Sequence, residues 1–551
     1  MQMGLLNKLA PVFNIRSDEG RLVVLLLVHS FFVGMTQILV SITASALFLV
    51  KFDSQSLSYV YIGAAVVAPL TGFLYSKLEG PLSFTKLLAA NLGLLLLALV
   101  TFRLFFFLMP EARWLAMALY IWYYVQDVLI NLEFWALAGR LLDVRQAKRL
   151  FGLIGAGEMV ARSISGFSVR PLVKIIGTPN LLFLAAGGIT GSLALMLYIA
   201  CLYQPGQPRH ERSRGATGQT RKEQVRDKLS YADLVQNRYI VLIAALSFLA
   251  LLGYFYVDFA YLDQTQTRYP DQDELAGFLG DLLAVIGVLA LMSRLFLTSP
   301  LISKYGLMTG LLALPVMVSI GVVPMAVSGT IPSATTVVFW LAVMTKLLCA
   351  TFRKSTDRFA SRILYQPLSK DLRVRAQTLI GSIVEPVAIG IAGATLLLLS
   401  FFPFGTVQLS YVLLVILAAW IIVVILLSRE YTAVLLQALT KRNLGELSFS
   451  VSDASSMAIL ERGLESSHAG EVIYYLDVLE RSEHESLETF LKKLLRHPAP
   501  EVRQDVLHRI ERLGMTSVLK RVSTSLRLEA SPQVRGTALS TLAALGETEV
   551  L

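Results

Sequence analysis

Cysteine is scarce in this sequence, with two residues, Cys201 and Cys349, in a chain of 551. Both lie near the ends of apolar runs, and neither has the spacing to neighbouring ligands that a metal site or a redox pair requires. We therefore expect both to be packing residues, and we predict no bound metal and no cofactor.

Charged residues are also few, at 16% of the chain, whereas hydrophobic residues make up 55% and the mean hydropathy is +0.62. A water-soluble domain does not tolerate this balance, so most of the apolar surface has to face lipid. The net charge of +10 comes from basic residues that cluster in particular loops. That clustering indicates orientation in a membrane rather than binding of nucleic acid.

Catalytic and energy-coupling motifs are missing as well. The sequence has no glycine-rich phosphate loop followed by Lys-Ser or Lys-Thr, no His-Glu-x-x-His and no Gly-x-Ser-x-Gly. We predict a protein that is not an enzyme, in which uphill movement of a solute has to draw on a gradient. No short apolar region with a small-residue cleavage site precedes the first long apolar run, so we expect no cleaved signal peptide.

Long apolar runs are abundant. A helix needs about 20 apolar residues to cross the hydrocarbon core, and windows of about 19 residues predict six spans in each half of the chain. They lie near 22–49, 57–76, 86–108, 113–138, 150–173 and 180–203, and then near 239–262, 274–297, 303–327, 332–352, 376–402 and 409–428. We predict an all-α membrane protein with twelve transmembrane helices in two six-helix halves.

The predicted boundaries give five parts. These are an N-terminal segment (1–21), a first half (22–203), a basic linker (204–237), a second half (238–428) and a soluble tail (429–551). Most Lys and Arg residues fall in one alternate set of loops, and the other set holds only Lys51, Arg113, Arg170, Lys174 and Arg268. By the positive-inside rule, both termini and the linker are cytoplasmic in a multi-pass protein of the cell inner membrane.

Two internal repeats are visible. The first relates the fifth span of each half: Arg149 to Gly155 followed by Glu158, and Arg375 to Gly381 followed by Glu385. Repetition between halves is typical of transporters that arose by duplication. The second repeat has a period of 32 residues in the tail, and there Pro500-Glu-Val-Arg503 recurs as Pro532-Gln-Val-Arg535. It resembles the HEAT repeat, a pair of antiparallel helices, and we expect its arginine to bond between adjacent repeats.

The stretch Phe134-Trp135-Ala-Leu-Ala-Gly-Arg-Leu-Leu-Asp143 through Gly155 resembles the connection between the fourth and fifth helices of the ATP/ADP exchangers of plastids and intracellular bacteria. Segments around Tyr269-Pro270 and from Gly306 to Pro315 resemble bacterial relatives in which this membrane domain is fused to HEAT repeats. The resemblance implies the major-facilitator architecture and transport of nucleotides. The chain departs from that family at two places. The first helix of the exchangers carries a lysine, whereas the corresponding segment here, Ser41 to Leu47, has none. Arg362 stands where the exchangers have an acid.

Ionisable residues inside predicted spans are the candidate substrate or ion site, because each costs at least about 2.5 to 3.5 kcal/mol to insert. Glu158 and Arg162 have the i, i+4 spacing of an internal salt bridge, which is the alternative to a binding role. Glu385 has no base one turn away and precedes Pro386, so it is the candidate proton- or substrate-coupled carboxylate. Its alternative is a structural pair with another helix.

Three further charges complete the candidate site. Asp127 and Lys346 lie near mid-depth in equivalent helices, where they either neutralise each other or bind opposite ends of a substrate. Asp258 lies among aromatic residues near the outer end of its span, which favours a solvated carboxylate in a vestibule.

A candidate cytoplasmic gate is formed by Glu133, Arg140, Arg149 and Arg375, at the inner ends of their helices. Anchoring to anionic headgroups is the alternative role for these basic residues.

The sequence therefore predicts a secondary transporter or exchanger that works by alternating access on a nucleotide-like or other small organic anion. One alternative is a transporter of lipid or another amphiphile. A second is a non-transporting membrane scaffold whose HEAT-like tail recruits a cytoplasmic protein partner. Beyond the bilayer and the small-molecule substrate, that protein is the one further partner that we expect, and we expect no nucleic acid.

Overall fold

Helices make up most of the described chain. The computed structural model describes residues 19–79, 83–142, 144–203, 234, 236–328, 335–402, 404–440, 460–466, 468–481 and 487–546. Within these ranges there is no β-strand, which agrees with the all-α prediction. Most of the predicted N-terminal segment and nearly all of the basic linker lie outside the described residues.

The chain divides into two compact units. The first comprises residues 1–298, 311–361 and 374–427, and the second comprises residues 299–310, 362–373 and 428–551. The first unit contains most of the apolar helices, and the second contains the tail.

Seven helices are described in the first half: α1 (Gly20–Lys51), α2 (Leu57–Glu79), α3 (Phe84–Leu108), α4 (Arg113–Leu141), α5 (Val144–Ile154), α6 (Ala156–Ile176) and α7 (Leu181–Tyr203). Short 3₁₀ turns at Ser54–Ser56 and Thr178–Asn180 precede α2 and α7. Most side chains of α3 and α7 are apolar, and a helix satisfies its own backbone groups where no water is present to do so.

Eight helices are described in the second half: α8 (Arg238–Arg268), α9 (Gln272–Met292), α10 (Ser299–Ser328, kinked at Gly306), α11 (Thr335–Phe352), α12 (Arg358–Leu364), α13 (Lys370–Leu379), α14 (Glu385–Leu399) and α15 (Thr406–Thr440). Asn237 and Asp271 cap the first turns of α8 and α9, because each side chain accepts hydrogen bonds from two backbone N–H groups there.

Eleven helical stretches in the described residues are long and apolar enough to cross a membrane. They coincide with eleven of the twelve predicted spans, so the chain is a multi-pass membrane protein. The other predicted span contains α6, whose 21 residues include four charged ones, Glu158, Arg162, Arg170 and Lys174. It is not among the eleven, and the twelve-helix count stays a prediction.

Several predicted helix limits are wrong. The fifth span, predicted as one helix from residue 150, is broken at Gly155, so Glu158 lies in the first turn of α6 rather than near its middle. The tenth span does not end at Phe352, because the helical chain continues to Leu364. Cys349 is buried as expected, whereas Cys201 is exposed and does not pack in the core.

Three stretches of π-helix interrupt the second half, at Ser293–Thr298, Arg353–Asp357 and Ile380–Val384. The first two touch through hydroxyl groups: Ser293 Oγ donates to Ser355 Oγ at 2.9 Å, and the Oγ1 atoms of Thr298 and Thr356 are 3.2 Å apart. Single π-helical turns occur frequently at functional sites.

Small residues bring helices of the two halves close together. A Cβ atom at Gly166 of α6 would lie 2.8 Å from the carbonyl oxygen of Gly280 in α9, and a Cβ at Gly280 would lie 2.8 Å from the Gly166 oxygen. Gly393 of α14 approaches the Ser58 backbone of α2 in the same way. Helices in a membrane associate through close backbone packing of this kind, because lipid tails are as apolar as the side chains and the hydrophobic effect does not hold the helices together.

In the second unit, five tail helices are described: α16 (Ala469–Arg481), α17 (Leu487–Leu494), α18 (Pro500–Arg512), α19 (Leu519–Leu528) and α20 (Pro532–Ala544). The 32-residue repeat has the same local structure in both copies. Proline begins α18 and α20, and a glycine of positive φ follows each, Gly514 at 64° and Gly546 at 90°. Arg503 bonds both carboxylate oxygens of Glu529 at 2.6 and 2.8 Å, within the same 32-residue unit, and its bonding between adjacent repeats stays a prediction.

Candidate functional site

The predicted pair of Glu158 and Arg162 forms in α6, where the Nε atom of Arg162 donates to Glu158 at 2.9 Å. A second guanidinium nitrogen donates to the side-chain oxygen of Gln37 in α1 at 2.7 Å. The amide nitrogen of Gln37 donates in turn to Asp127 of α4 at 3.0 Å. Four side chains therefore form one hydrogen-bonded chain across α1, α4 and α6.

Lys346 of α11 pairs with Asp258 of α8, and not with Asp127. The mutual neutralisation of Lys346 and Asp127 that was one alternative is therefore wrong. The solvated vestibule predicted for Asp258 is also wrong, because its side chain is 14% exposed and also accepts a hydrogen bond from the Tyr61 hydroxyl at 3.0 Å. The Lys346 side chain is 5% exposed.

Aromatic rings surround this second pair. The Lys346 ammonium lies 4.4 Å from the ring centre of Tyr254, and the Arg353 guanidinium lies 4.6 Å from the same ring. Tyr124 of α4 contacts Phe255 of α8 with ring centres 6.4 Å apart, and Tyr123 lies beside it at 5.2 Å. Cations over tyrosine faces are stabilised by the ring quadrupole.

Lys354 and Arg358 were counted as loop residues in the sequence analysis, but the structure assigns them to the π-helical turn after α11 and to the start of α12. Both lie close enough to Glu158 and Asp127 to act on those carboxylates electrostatically. Within the described residues, neither has a hydrogen bond or an ion pair. Two cations of the second half therefore lie near the charged network of the first half, and neither is hydrogen-bonded to an acid among the described residues.

Glu385, the predicted coupling carboxylate, begins α14 directly after the third π-helical turn. Its side chain is exposed, and Arg353 and Arg358 are its closest charged influences. Asp357, at the end of the second π-helical turn, is near the same two arginines and near Glu385. Two acids and two bases of the second half therefore lie close together: Asp357, Glu385, Arg353 and Arg358.

The four predicted gate residues have different neighbours among the described residues. Glu133 is fully buried and lies 3.1 Å from the ring nitrogen of His29. Arg149 bonds both oxygens of Glu19 at 2.7 Å, and the Arg140 guanidinium lies 4.0 Å from the Phe84 ring centre. Arg375 has contacts of its own. The gate role of Glu133, Arg140, Arg149 and Arg375 stays a prediction.

Sequence reasoning missed three residues of the site, Gln37, Lys354 and Arg358. A signal existed for the last two, because they have i, i+4 spacing and no glycine or proline separates them from the helix before them. Gln37 gave no signal, since one amide in a long apolar helix is compatible with any burial. Among the described residues, no group of three or more His, Cys, Asp or Glu side chains has the arrangement of a metal site.

Two sets of apolar helices with charged groups where they meet have the architecture of the major-facilitator fold. The solved structures support that fold. A POT family transporter in complex with a thioalcohol-conjugated peptide aligns over 74% of this chain and 96% of its own, with a TM-score of 0.54 and 10% identity. That likeness concerns the fold alone.

The family model of the TLC ATP/ADP transporters matches residues 82–431, and the chain belongs to this family. The ADP,ATP carrier protein 1 of Chlamydia pneumoniae is 26% identical over 345 residues, which are 56% of this chain and 65% of the relative. The chain thus spans less than two thirds of that relative's length. The ADP,ATP carrier protein 2 of Chlamydia trachomatis serovar D is 22% identical over 499 residues, 77% of this chain and 90% of the relative.

Proposed function

We propose that the protein is a secondary transporter that carries a nucleotide-like organic anion between the two sides of the membrane by alternating access. The observation that carries this proposal is the position of Lys354 and Arg358. Both come from the second half, face the Glu158, Arg162 and Asp127 network of the first half, and have no acid partner among the described residues.

Lys354 is half-buried and Arg358 is exposed, and neither is hydrogen-bonded to an acid among the described residues. A bound anion that accepts hydrogen bonds from both groups supplies the charged partner that these cations lack. Each charge-assisted hydrogen bond contributes about 1.5 to 3 kcal/mol. Phosphate and carboxylate groups satisfy this chemistry, and an anion held between the halves favours their closure around it.

Nucleotides are the substrate class that the relatives favour, since two of them are named ADP,ATP carrier proteins. The Tyr254 ring lies beside the Lys346 and Arg353 cations, and Tyr123 and Tyr124 pack against each other on α4. Such rings supply the flat apolar surface that the base of a nucleotide requires. Because the chain lacks a lysine from Ser41 to Leu47, other small organic anions are the second candidate class.

The acidic residues have proposed roles as well. Glu158 holds Arg162 in position through their 2.9 Å hydrogen bond. Glu385 is exposed near Arg353 and Arg358, so it either pairs with a basic group of the substrate or carries a coupled proton. Asp258 neutralises Lys346 until substrate binds.

The arrangement in the cell is part of the same proposal. We assign twelve spans with α6 as the fifth, an inner-membrane location and cytoplasmic termini, on the basis of the distribution of Lys and Arg. The tail forms HEAT-like repeats that recruit a cytoplasmic protein. The paired proline and positive-φ glycine positions of α18 and α20 support this assignment.

A binding experiment tests the site. The purified protein is heated with ADP, ATP, phosphorylated sugars, organic acids or phospholipid, and the shift in its midpoint of unfolding is measured. We expect stabilisation by nucleotide that is lost in Lys354→Ala and in Arg358→Ala but kept in Lys77→Ala, whose exposed ammonium lies beside Phe73. Stabilisation by phospholipid alone would favour the lipid-transport alternative. No stabilisation by any solute would contradict the proposal and favour the scaffold.

A further inference from the structure

Asp258 bonds to both halves of the protein, to Lys346 in the second half and to Tyr61 in the first. One of its oxygens accepts from the Lys346 ammonium, and the other accepts from the hydroxyl of Tyr61 at 3.0 Å. Tyr61 belongs to α2 of the first half, is fully buried, and packs edge-on against Phe255 at 4.8 Å. The three side chains form one line from α11 through α8 to α2.

α8 makes further bonds to the first half towards its C-terminal end. The Ser54 hydroxyl donates to Asp263 at 2.6 Å, and the Ser54 backbone N–H donates to the side chain of Gln266 at 2.8 Å. The Gln266 amide donates to the Phe52 carbonyl at 2.8 Å and also to the Leu49 carbonyl. These groups lie where α1 ends and α2 begins, and we call that end of the bundle the latch end.

Other bonds close the latch end on its α6 side. Thr178 donates to Asp273 from its backbone at 2.9 Å and from its hydroxyl at 2.6 Å. Arg170 donates to Asp281 at 2.5 Å. Each of these pairs also joins the first half to the second. Asp258 differs from them, because its other partner, Lys346, belongs to the candidate substrate site.

We infer that Lys346, Asp258 and Tyr61 form a latch that holds the latch end closed and is released by an anion at Lys346. While the ammonium neutralises Asp258, the carboxylate is stable out of water and accepts from Tyr61. An anion that draws the ammonium away leaves Asp258 buried and uncompensated, which is strongly unfavourable. Water reaches the carboxylate when the latch end opens, so the anion binds the open state better and shifts the population towards it.

Tyr61 is then a positioning residue, since it acts through Asp258 and not on the substrate. The closing role of Tyr61 stands apart from any substrate, whereas the release by an anion rests on the proposed function. Distances measured across the latch end, with and without an anion, test the closing role of Tyr61 and the release by an anion separately.

The experiment uses full-length Cys201→Ser protein with spin labels at Ile175→Cys and Pro270→Cys, which lie on the first and second half at the latch end. Distances are measured by pulsed electron paramagnetic resonance. Tyr61→Phe removes one hydroxyl and keeps the ring, so we expect the ratio of open to closed molecules to rise by about tenfold or more. Tyr59→Phe, on an exposed ring of the same helix, should leave the ratio unchanged. Equal distributions in both variants would overturn the latch.

A second arm tests the release. Addition of ADP to the labelled protein should raise the open fraction, whereas Lys346→Gln should be open without ADP and respond no further. If ADP shifts neither the distances nor the unfolding midpoint, the proposed substrate class fails while the Tyr61→Phe result still decides the latch. If ADP shifts the midpoint but leaves the distances unchanged, the release part of the inference is wrong and the proposed function stands.

Discussion

Single side chains in the bundle fall into two energetic classes. Arg162 and Lys346 each have a carboxylate partner and further hydrogen bonds. Lys354 and Arg358 have no such partner among the described residues. Removing one member of a paired charge destabilises the folded protein, because the other member is left without its partner. Removing an unpaired charge that serves binding costs the folded protein no stability.

This contrast gives a prediction about stability. Arg162→Ala should lower the free energy of unfolding by about 1 to 3 kcal/mol, since Glu158 and Gln37 each lose a charge-assisted hydrogen bond. Lys354→Ala should leave it unchanged or raise it, because Lys354 lies near the like charges of Arg162 and Arg358. Thermal unfolding of the purified variants measures both effects. Equal destabilisation by the two substitutions would mean that Lys354 has a structural partner and is no binding residue.

The site was predictable from the sequence only in part. The spacing of Glu158 and Arg162 predicted their ion pair, because four residues are about one turn of a helix. The partners of Lys346 and Asp258 were not predictable, since no rule of spacing connects helices that are distant in sequence. Asp258 in particular looked like an interfacial residue because aromatic residues flank it. In the structure, those aromatics pack around the ion pair.

At the scale of helices, apolar runs predicted the spans well because length and composition decide whether a helix can cross a membrane. They did not predict the break at Gly155 or the three π-helical turns. A π-helical turn adds one residue without a change in composition, so hydropathy carries no trace of it. The turn at Arg353–Asp357 nevertheless decides which face carries Lys354 and Arg358.

The contact between α6 and α9 yields a second prediction. Gly166→Ala places a Cβ atom 2.8 Å from the Gly280 carbonyl oxygen and from Ala284, where the backbone cannot yield. We expect a loss of roughly 1 to 3 kcal/mol in unfolding free energy. Gly93→Ala in α3 is the matched control, because its Cβ meets nothing within 4 Å and should stabilise the helix by roughly 0.5 to 1 kcal/mol. A midpoint of unfolding that rises in both variants would contradict the close approach.

The tail helices give a prediction about pH. The Arg503 guanidinium lowers the pKa of the Glu529 carboxyl, so the bond stabilises the tail above the pKa that this carboxyl has in the unfolded chain. The stabilisation is lost as the pH falls through the lower, folded-state pKa. Glu529→Gln should weaken the region by about 1 to 3 kcal/mol at neutral pH.

Amide hydrogen exchange of α18 in the full-length protein measures this effect. Protection should fall in Glu529→Gln at neutral pH, and its loss on acidification should be smaller than in the unmodified chain. Glu501→Gln, an exposed position of α18, serves as the control. Unchanged protection in Glu529→Gln would show that the bond contributes nothing to the tail.

At the scale of the whole molecule, the account joins a family assignment to a specific set of charges. Membership in the TLC ATP/ADP transporters fixes the fold, but neither membership nor fold decides the cargo. We propose that the cargo depends on Arg162, Lys354 and Arg358 from the two halves, and on movement of the halves about a bound anion. Binding and stability measurements each test one part of this claim, whereas flux tests all of it.

The most direct measurement is counterflow exchange in proteoliposomes. Vesicles loaded with unlabelled ADP are diluted into labelled ADP, and the accumulation of label is followed over time. The account predicts accumulation that requires internal ADP, falls at least tenfold in the Lys354→Ala and Arg358→Ala double variant, and is kept in Lys77→Ala. Accumulation that is equal in empty and loaded vesicles, or unchanged in the double variant, would contradict transport of a nucleotide-like anion through this site.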